Sequence, residues 1–471
     1  MFLRKTVAIL LLITTILPLA ACSTPKKDSD PDEETVSAPQ YETETVYGNP
    51  SALGAESSQE DTLPTIIIRV KSGKDIVSKK EYLESSITID GCAEQYRLRN
   101  VSAQVRKRGN GSYTWAKGAY RIKFYDKYNL FGQANGYGRS WVLLSNHSDA
   151  SMLRTHTVFT MAHTLDNIGW TSSSSFVHLY INNKYQGVYQ LIEQHNTSDG
   201  RIEVNEDPSV LDTDYLIELD EYADDSGARG VDWFRVGTFN YKGGSGQGTK
   251  ANKYLIHSDY NTKERCSFLF DYFKKADDAI MEGNYEEVSQ YIDLASFVDM
   301  YILQELALNS DVGWSSFYMV KKANDKIYFT CPWDFDLSIG NNHVIRNNSY
   351  KGLHAGNSVE LEMQSHTWFF NLFKRKWFVD MVSKRWNEVA MGMRDAALNE
   401  INRIYTDFGS DLVKNYTVWD MPTKKYTEDY LVEYTRDTYD EHVQFIKFFL
   451  CKRFDWLDNY FNSDRKYEQL E

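Results

Sequence analysis

The sequence predicts an α+β protein, with a strand-rich part over about residues 63–200 and a helix-rich part over about 260–463. Three observations predict it. Short β-branched and aromatic runs between turn residues fill the first part. Apolar residues recur at helical spacing in the second. The 42% hydrophobic and 14% aromatic content supplies a sizeable core.

Residues 1–22 read as a lipoprotein signal peptide and stand outside the fold. Arg4 and Lys5 precede an apolar run from Val7 to Leu19 that is too short for a comfortable membrane span. Leu19-Ala20-Ala21-Cys22 then resembles a bacterial lipobox, which implies cleavage before Cys22 and lipidation of that residue. The expected location is the extracellular face of the cell membrane, with lipid on Cys22 as the anchor; an ordinary signal peptide with an incidental Cys22 is the alternative. Residues 23–62, rich in Ser, Thr, Asp, Glu and Pro, read as a flexible acidic tether.

From Leu63 onward the chain is expected to fold as one domain over 63–463. Leu63–Val70, Ser86–Ile89, Tyr96–Leu98, Val101–Val105 and Tyr120–Phe124 read as strands. Asp149 is suited to cap a helix from near Ser151 to about Leu165. Phe176–Ile181 and Tyr185–Ile192, joined by Asn182-Asn183, read as a β-hairpin. Asp293–Leu308 carries Phe297, Met300, Tyr301, Leu306 and Leu308 at helical spacing. Ser315–Lys321 and Lys326–Thr330 read as strands, and Thr367 to about Tyr405 and Glu428–Phe461 as helices. The aromatics of those helices, Trp368, Phe369, Trp377, Trp386, Phe445, Phe448 and Phe449, are assigned to core packing.

A formal net charge of −14 argues against a nucleic-acid partner. Cys92, Cys266, Cys331 and Cys451 are scattered without a C-x-x-C pair, so a zinc site is unsupported.

Three segments carry chemistry. The strand Lys326–Thr330 runs through Cys331-Pro332-Trp333 into Asp334-Phe335-Asp336. Residues two apart in extended backbone share a face, so Asp334 and Asp336 present two carboxylates to one point. Hard cations such as Mg²⁺ bind through one or two carboxylates, phosphate oxygens and water. A D-x-D is common in solvated turns, but Trp333, Phe335 and Leu337 argue for burial here. Second, Glu305 and Asn309 share one helix face and Asp311 falls just past the helix end, a placement that lets Asp311 accept a hydroxyl proton while Asn309 ligates a metal. A helix cap and turn is the plainer reading of Asn309 and Asp311. Third, Arg106-Lys107-Arg108-Gly109-Asn110-Gly111 and Lys117 lead into a strand on which Arg121 and Lys123 share a face, a pattern able to cradle phosphate or to form a solvated hairpin. Glu193 closes the later hairpin and is available to pair with a lysine of that strand, or to stay at the surface.

Taken in order, these segments resemble the CotH kinase family, the spore coat protein H-like proteins. The resemblance rests on Arg108-Gly109-Asn110, Tyr120-Arg121-Ile122-Lys123, Trp141–Leu144, Asp149, Leu153-Arg154, Leu179–Asn182, Tyr185–Tyr189, Glu193, Glu305, Asn309, Asp311, Pro332–Asp336 and Gly340-Asn341. It implies an atypical protein-kinase fold that uses ATP and Mg²⁺ or Mn²⁺ to phosphorylate serine or threonine of surface or coat proteins. It further implies Asp311 as catalytic aspartate and Asp334 as metal ligand, with Asn309 and Asp336 supporting. Arg108, Lys117 or Lys123, and Arg121 would face ATP, with Glu193 paired to the lysine. The stretch Gly111–Trp115 is looser than the family's usual serine-rich form, and Gly118 stands where a second lysine is frequent. Two other readings remain at this point: a kinase-like surface protein without turnover, and a D-x-D glycosyltransferase, for which no Rossmann fingerprint is present.

Overall fold

The computed structural model describes residues 62–470, apart from 110–112, 114, 133–135, 198–199, 244–245, 310, 342–348, 356–366 and 422–435. The signal peptide, Cys22, most of the tether, Asn110 to Ser112 and the expected helical residues 428–435 therefore lie outside the described residues.

Seven strands close into a barrel: β1 (Thr65–Val70), β2 (Leu83–Asp90), β3 (Leu98–Arg108), β4 (Ala119–Tyr128), β5 (Gly138–Leu144), β6 (Ser174–Ile181) and β7 (Lys184–Glu193). Their order is β1-β2-β3-β4-β5-β7-β6, and parallel pairing of β1 with β6 completes the ring. Closure leaves no unpaired edge. Period-two alternation sends Ile66, Ile68, Ile87, Ile89, Val105, Ile122 and Phe124 inward. The β6–β7 turn uses Asn182 and Asn183 at φ 48° and 65°, the left-handed pair that a two-residue hairpin favours. β5 and β7 are apolar on both faces. Trp141, Leu143, Tyr189 and Leu191 fill the barrel, whereas Val142, Val188 and Ile192 join a second core with Phe159 of α1 (Arg154–Ala162).

That second core lies between α-helices and an antiparallel sheet ordered β12-β11-β8-β10-β9. Its strands are β8 (Tyr215–Leu219), β9 (Trp233–Gly243), β10 (Gly246–His257), β11 (Phe317–Lys321) and β12 (Ile327–Thr330). The helices are α2 (Lys263–Glu282), α3 (Tyr285–Tyr291), α4 (Leu294–Ala307), α5 (Thr367–Phe373), α6 (Lys376–Val413) and α7 (Tyr439–Phe461). Phe329 sits 4.4 Å from Phe297 and 5.5 Å from Phe369 between ring centroids, so sheet and helices meet through aromatic rings. The fold is α+β, as expected.

Several element readings change. The interval 200–260, to which the sequence reading assigned no element, contains β8, β9 and β10. All five residues of β8 are buried, so no alternation marks it. Of the expected strand Tyr96–Leu98, Tyr96 ends a 3₁₀ turn and only Leu98 belongs to a strand, the start of β3. α1 begins at Arg154 rather than near Ser151, although the Asp149 carboxylate does accept from the amides of both residues. The long helix expected from Thr367 is broken between Phe373 and Lys376 and then runs on to Val413. Thr438 and Glu441 form a capping box that fixes the start of α7. No helix among the described residues is long and apolar enough to cross a membrane.

Candidate active site

A cavity of about 650 Å³ opens between the barrel and the second sheet. Its two walls differ in charge. The barrel side presents Lys79, Lys80, Arg106, Arg108 and Arg121, and the opposite side presents Glu218, Asp220, Asp311, Asp334 and Asp336. Regular strand pairing positions the cations, since Arg106 stands opposite Arg121 in the β3–β4 register. Arg121 donates to Ser140 Oγ at 3.1 Å.

The acids sit on irregular backbone. β12 ends at Thr330, and Cys331 and Asp334 adopt left-handed conformations at φ 48° and 65°. The same-face rule for extended strands therefore does not describe Asp334 and Asp336, yet both reach the cavity. Trp333 and Phe335 beside them are buried, but Asp334 is exposed and Asp336 and Leu337 are half-buried, so the burial expected of the acids is not what the structure shows. Solvent in the cavity reaches Asp334 even though protein surrounds it closely. Burial and repulsion from Asp311 raise its pKa above the ordinary carboxylate range, with Arg108 opposing. Burial and the charge of Asp334 raise that of Asp336, opposed by a hydrogen bond from Ser148 Oγ. Asn341 Nδ2 ties the segment down by donating to Asp336 O at 2.7 Å and Ser148 O at 3.1 Å.

The next turn is clamped from outside the cavity. Buried Arg154 pairs with Asp149 and donates to Ser338 O at 3.0 Å. The Ile339 amide donates to Ala307 O at 2.7 Å, which joins this turn to the end of α4. Gly340 has φ +71°, and a Cβ there would lie 2.7 Å from Phe449, so glycine is required. Asp149, Arg154, Gly340 and Asn341 thus support the acids.

Five of the expected site residues share the cavity: Arg108, Arg121, Asp311, Asp334 and Asp336. Four do not line it. Asn309 turns inward, its Nδ2 donating to Gln304 Oε1 at 3.0 Å and its Oδ1 accepting from the Asp311 amide at 3.3 Å. It shapes the turn, in line with the plainer reading, and does not line the cavity as the metal ligand implied by the resemblance would. Lys117 is buried, with Nζ donating to Ser145 O and Val188 O at 2.6 Å each, so it is spent on backbone rather than offered to phosphate. Glu193 accepts from the Ser173 amide at 2.9 Å and faces Arg201 at 3.8 Å, an arginine in place of the expected lysine. Lys123 follows Arg121 on β4, one step beyond the lining.

Sequence reasoning missed Lys79, Lys80, Glu218, Asp220 and His257. Arg106 lay in the basic run but was given no role. Glu218 and Asp220 end an apolar strand as Asp334 follows one, and that shared pattern was the available signal. Glu218 Oε2 accepts from His257 Nε2 at 2.8 Å, and Asp220 is pushed up to about 7 by burial and by Glu218. Tyr318 Oη contacts His195 Nε2 at 2.9 Å, and the His195 ring packs edge-on against Trp333 at 4.3 Å, which braces the residue before Asp334.

Among the described residues no group of three or more His, Cys, Asp or Glu side chains is arranged to hold a metal by itself. The oxygen-only donors Asp334 and Asp336 suit a hard cation that takes its other ligands from phosphate and water, and such a cation would offset the burial and mutual repulsion that hold their pKa values up.

A strand-rich part and a helical part, meeting at a cavity with arginines on one wall and aspartates on the other, describe a kinase-like protein. Comparison with known families agrees: residues 105–457 match the family described as CotH kinase protein. The chain belongs to the CotH kinase family. A search of curated proteins returned no match.

Proposed function

We propose that this protein is an exported kinase that uses ATP and a divalent cation to phosphorylate serine or threonine of surface or coat proteins, anchored by lipid on Cys22. The observation that carries the reading is the convergence of Asp311, Asp334 and Asp336 on one cavity opposite Arg108 and Arg121. Phosphoryl transfer asks little of a protein beyond positioning and charge. Arg108 and Arg121 would bind the phosphate oxygens of ATP, each offering a planar donor fork. Asp334 and Asp336 would hold Mg²⁺ or Mn²⁺, which when bound neutralises charge on the phosphates. Asp311, on its turn at the cavity wall, would accept the proton of the attacking hydroxyl.

The test incubates the purified domain and surface proteins of its own cell with labelled ATP. At least one labelled band is expected with the wild type and lost in Asp311→Ala. ATP with Mg²⁺ is also expected to raise the melting temperature, since a ligand of the native state stabilises it. An unshifted melting temperature would remove the reading and favour a kinase-like binding protein.

A further inference from the structure

We propose that Glu305, His354 and Arg453 form a brace that positions the backbone turn carrying Asp311. This rests on the reading of Asp311 as the catalytic base. α4 ends at Ala307, and Leu308 leaves the helix in a left-handed conformation at φ 49°. Helix ends leave carbonyls without intrahelical partners, so a turn at this place needs external support to hold one geometry.

The support comes from far along the chain. His354 Nε2 contacts the Asn309 carbonyl at 2.7 Å, and because that partner can only accept, the proton is on Nε2. The His354 amide donates to Glu305 Oε1 at 2.6 Å. Arg453 of α7 donates through Nη2 to the same Oε1 at 2.6 Å and to the Glu305 carbonyl at 2.7 Å. Its Nη1 donates to Gly352 O at 2.7 Å, which secures the segment bearing His354. Tyr301 Oη donates to Glu305 Oε2 at 3.1 Å. Glu305, His354, Asn309 and Arg453 are all buried, and none lines the cavity. They act on Asp311 through the backbone. A buried ion pair is weak evidence of stabilisation, since apolar replacements often do as well, whereas its hydrogen-bond geometry fixes position. These three are therefore positioning residues.

The experiment uses the full chain as wild type, His354→Phe, His354→Gln and Tyr301→Phe. Steady-state kinetics are read beside hydrogen exchange over residues 306–316. H354F removes the donor to Asn309, and kcat is expected to fall about 10- to 100-fold with KM for ATP unchanged, because a small misplacement of a reacting group is costly. H354Q restores an N–H donor and is expected to recover most of kcat. Y301F, the milder change should H354F fail to fold, is expected to lower kcat by about 2- to 5-fold. Exchange over 306–316 should quicken in H354F and stay near wild type in H354Q. Wild-type kcat in both H354F and Y301F would overturn the proposal, as would an H354Q no better than a folded H354F. If the wild type itself turns over no ATP, the kinase reading falls while exchange still decides the brace: unchanged exchange in H354F overturns it.

Discussion

The two walls of the cavity are built by opposite means. The barrel wall carries its arginines on β3 and β4, where ladder pairing sets their position. The facing wall carries Asp311 on a turn beyond α4 and Asp334 on left-handed backbone, each secured by buried polar contacts. A cation that attracts phosphate needs charge and reach, which a strand provides. Carboxylates that must converge on one point repel one another, and only irregular backbone under external restraint brings them together.

If the walls divide labour in this way, substitutions on them should fail differently. Asp334→Asn is expected to lower ATP turnover by about 10³-fold or more. Arg121→Met is expected mainly to raise KM for ATP, by about 10-fold. Equal kinetic profiles for the two variants would break the comparison.

The next contrast is in packing. Phe329→Ala opens the aromatic junction of sheet and helices and should cost about 3–5 kcal/mol in denaturant unfolding, whereas Ile87→Val inside the barrel should cost about 0.5–1.5 kcal/mol. Comparable losses would show that the two cores are less distinct than their residues suggest.

The smallest expected effect concerns charge. A raised carboxyl pKa means that the native state binds more protons than the unfolded chain, so the stability of the wild type falls as pH rises through the window above the ordinary carboxylate value. Metal-free Asp334→Asn should therefore melt higher than wild type at pH 7, on the order of 1 °C given solvent access to the group, and should lose that advantage towards pH 4. Mg²⁺ with ATP should reverse the order at pH 7. Melting curves with chelator and with Mg²⁺–ATP check both signs.

How far the sequence could be read follows the same divide. β1, β2 and β4 carry β-branched and aromatic runs between turn residues, and those runs marked them. β8 is buried throughout, β9 and β10 lie in the same unread interval, and with them went Glu218, Asp220 and His257. Asp334 and Asp336 were found through a strand-face rule that the backbone does not obey; what made them legible was the company of Trp333 and Phe335. Lys117 and Glu193 looked suited to phosphate chemistry by type and spacing, but burial assigns one to two carbonyls and sets the other against Arg201.

The sequence by itself determined the α+β order, the Asn182-Asn183 hairpin, the span of α4 and the greater part of α1, α6 and α7, and Asp311, Asp334, Asp336, Arg108 and Arg121, which end in one cavity. These depend on local periodicity, turn chemistry and residue type, which short windows of chain contain. Tertiary structure alone decided the closure of the barrel by β1 and β6, the placing of acids opposite cations, and which polar residues serve the backbone instead of the cavity. Those outcomes depend on contacts between residues more than a hundred positions apart, such as Arg453 with Glu305 and Arg154 with Ser338, and no local pattern encodes which distant partner will satisfy a buried polar group.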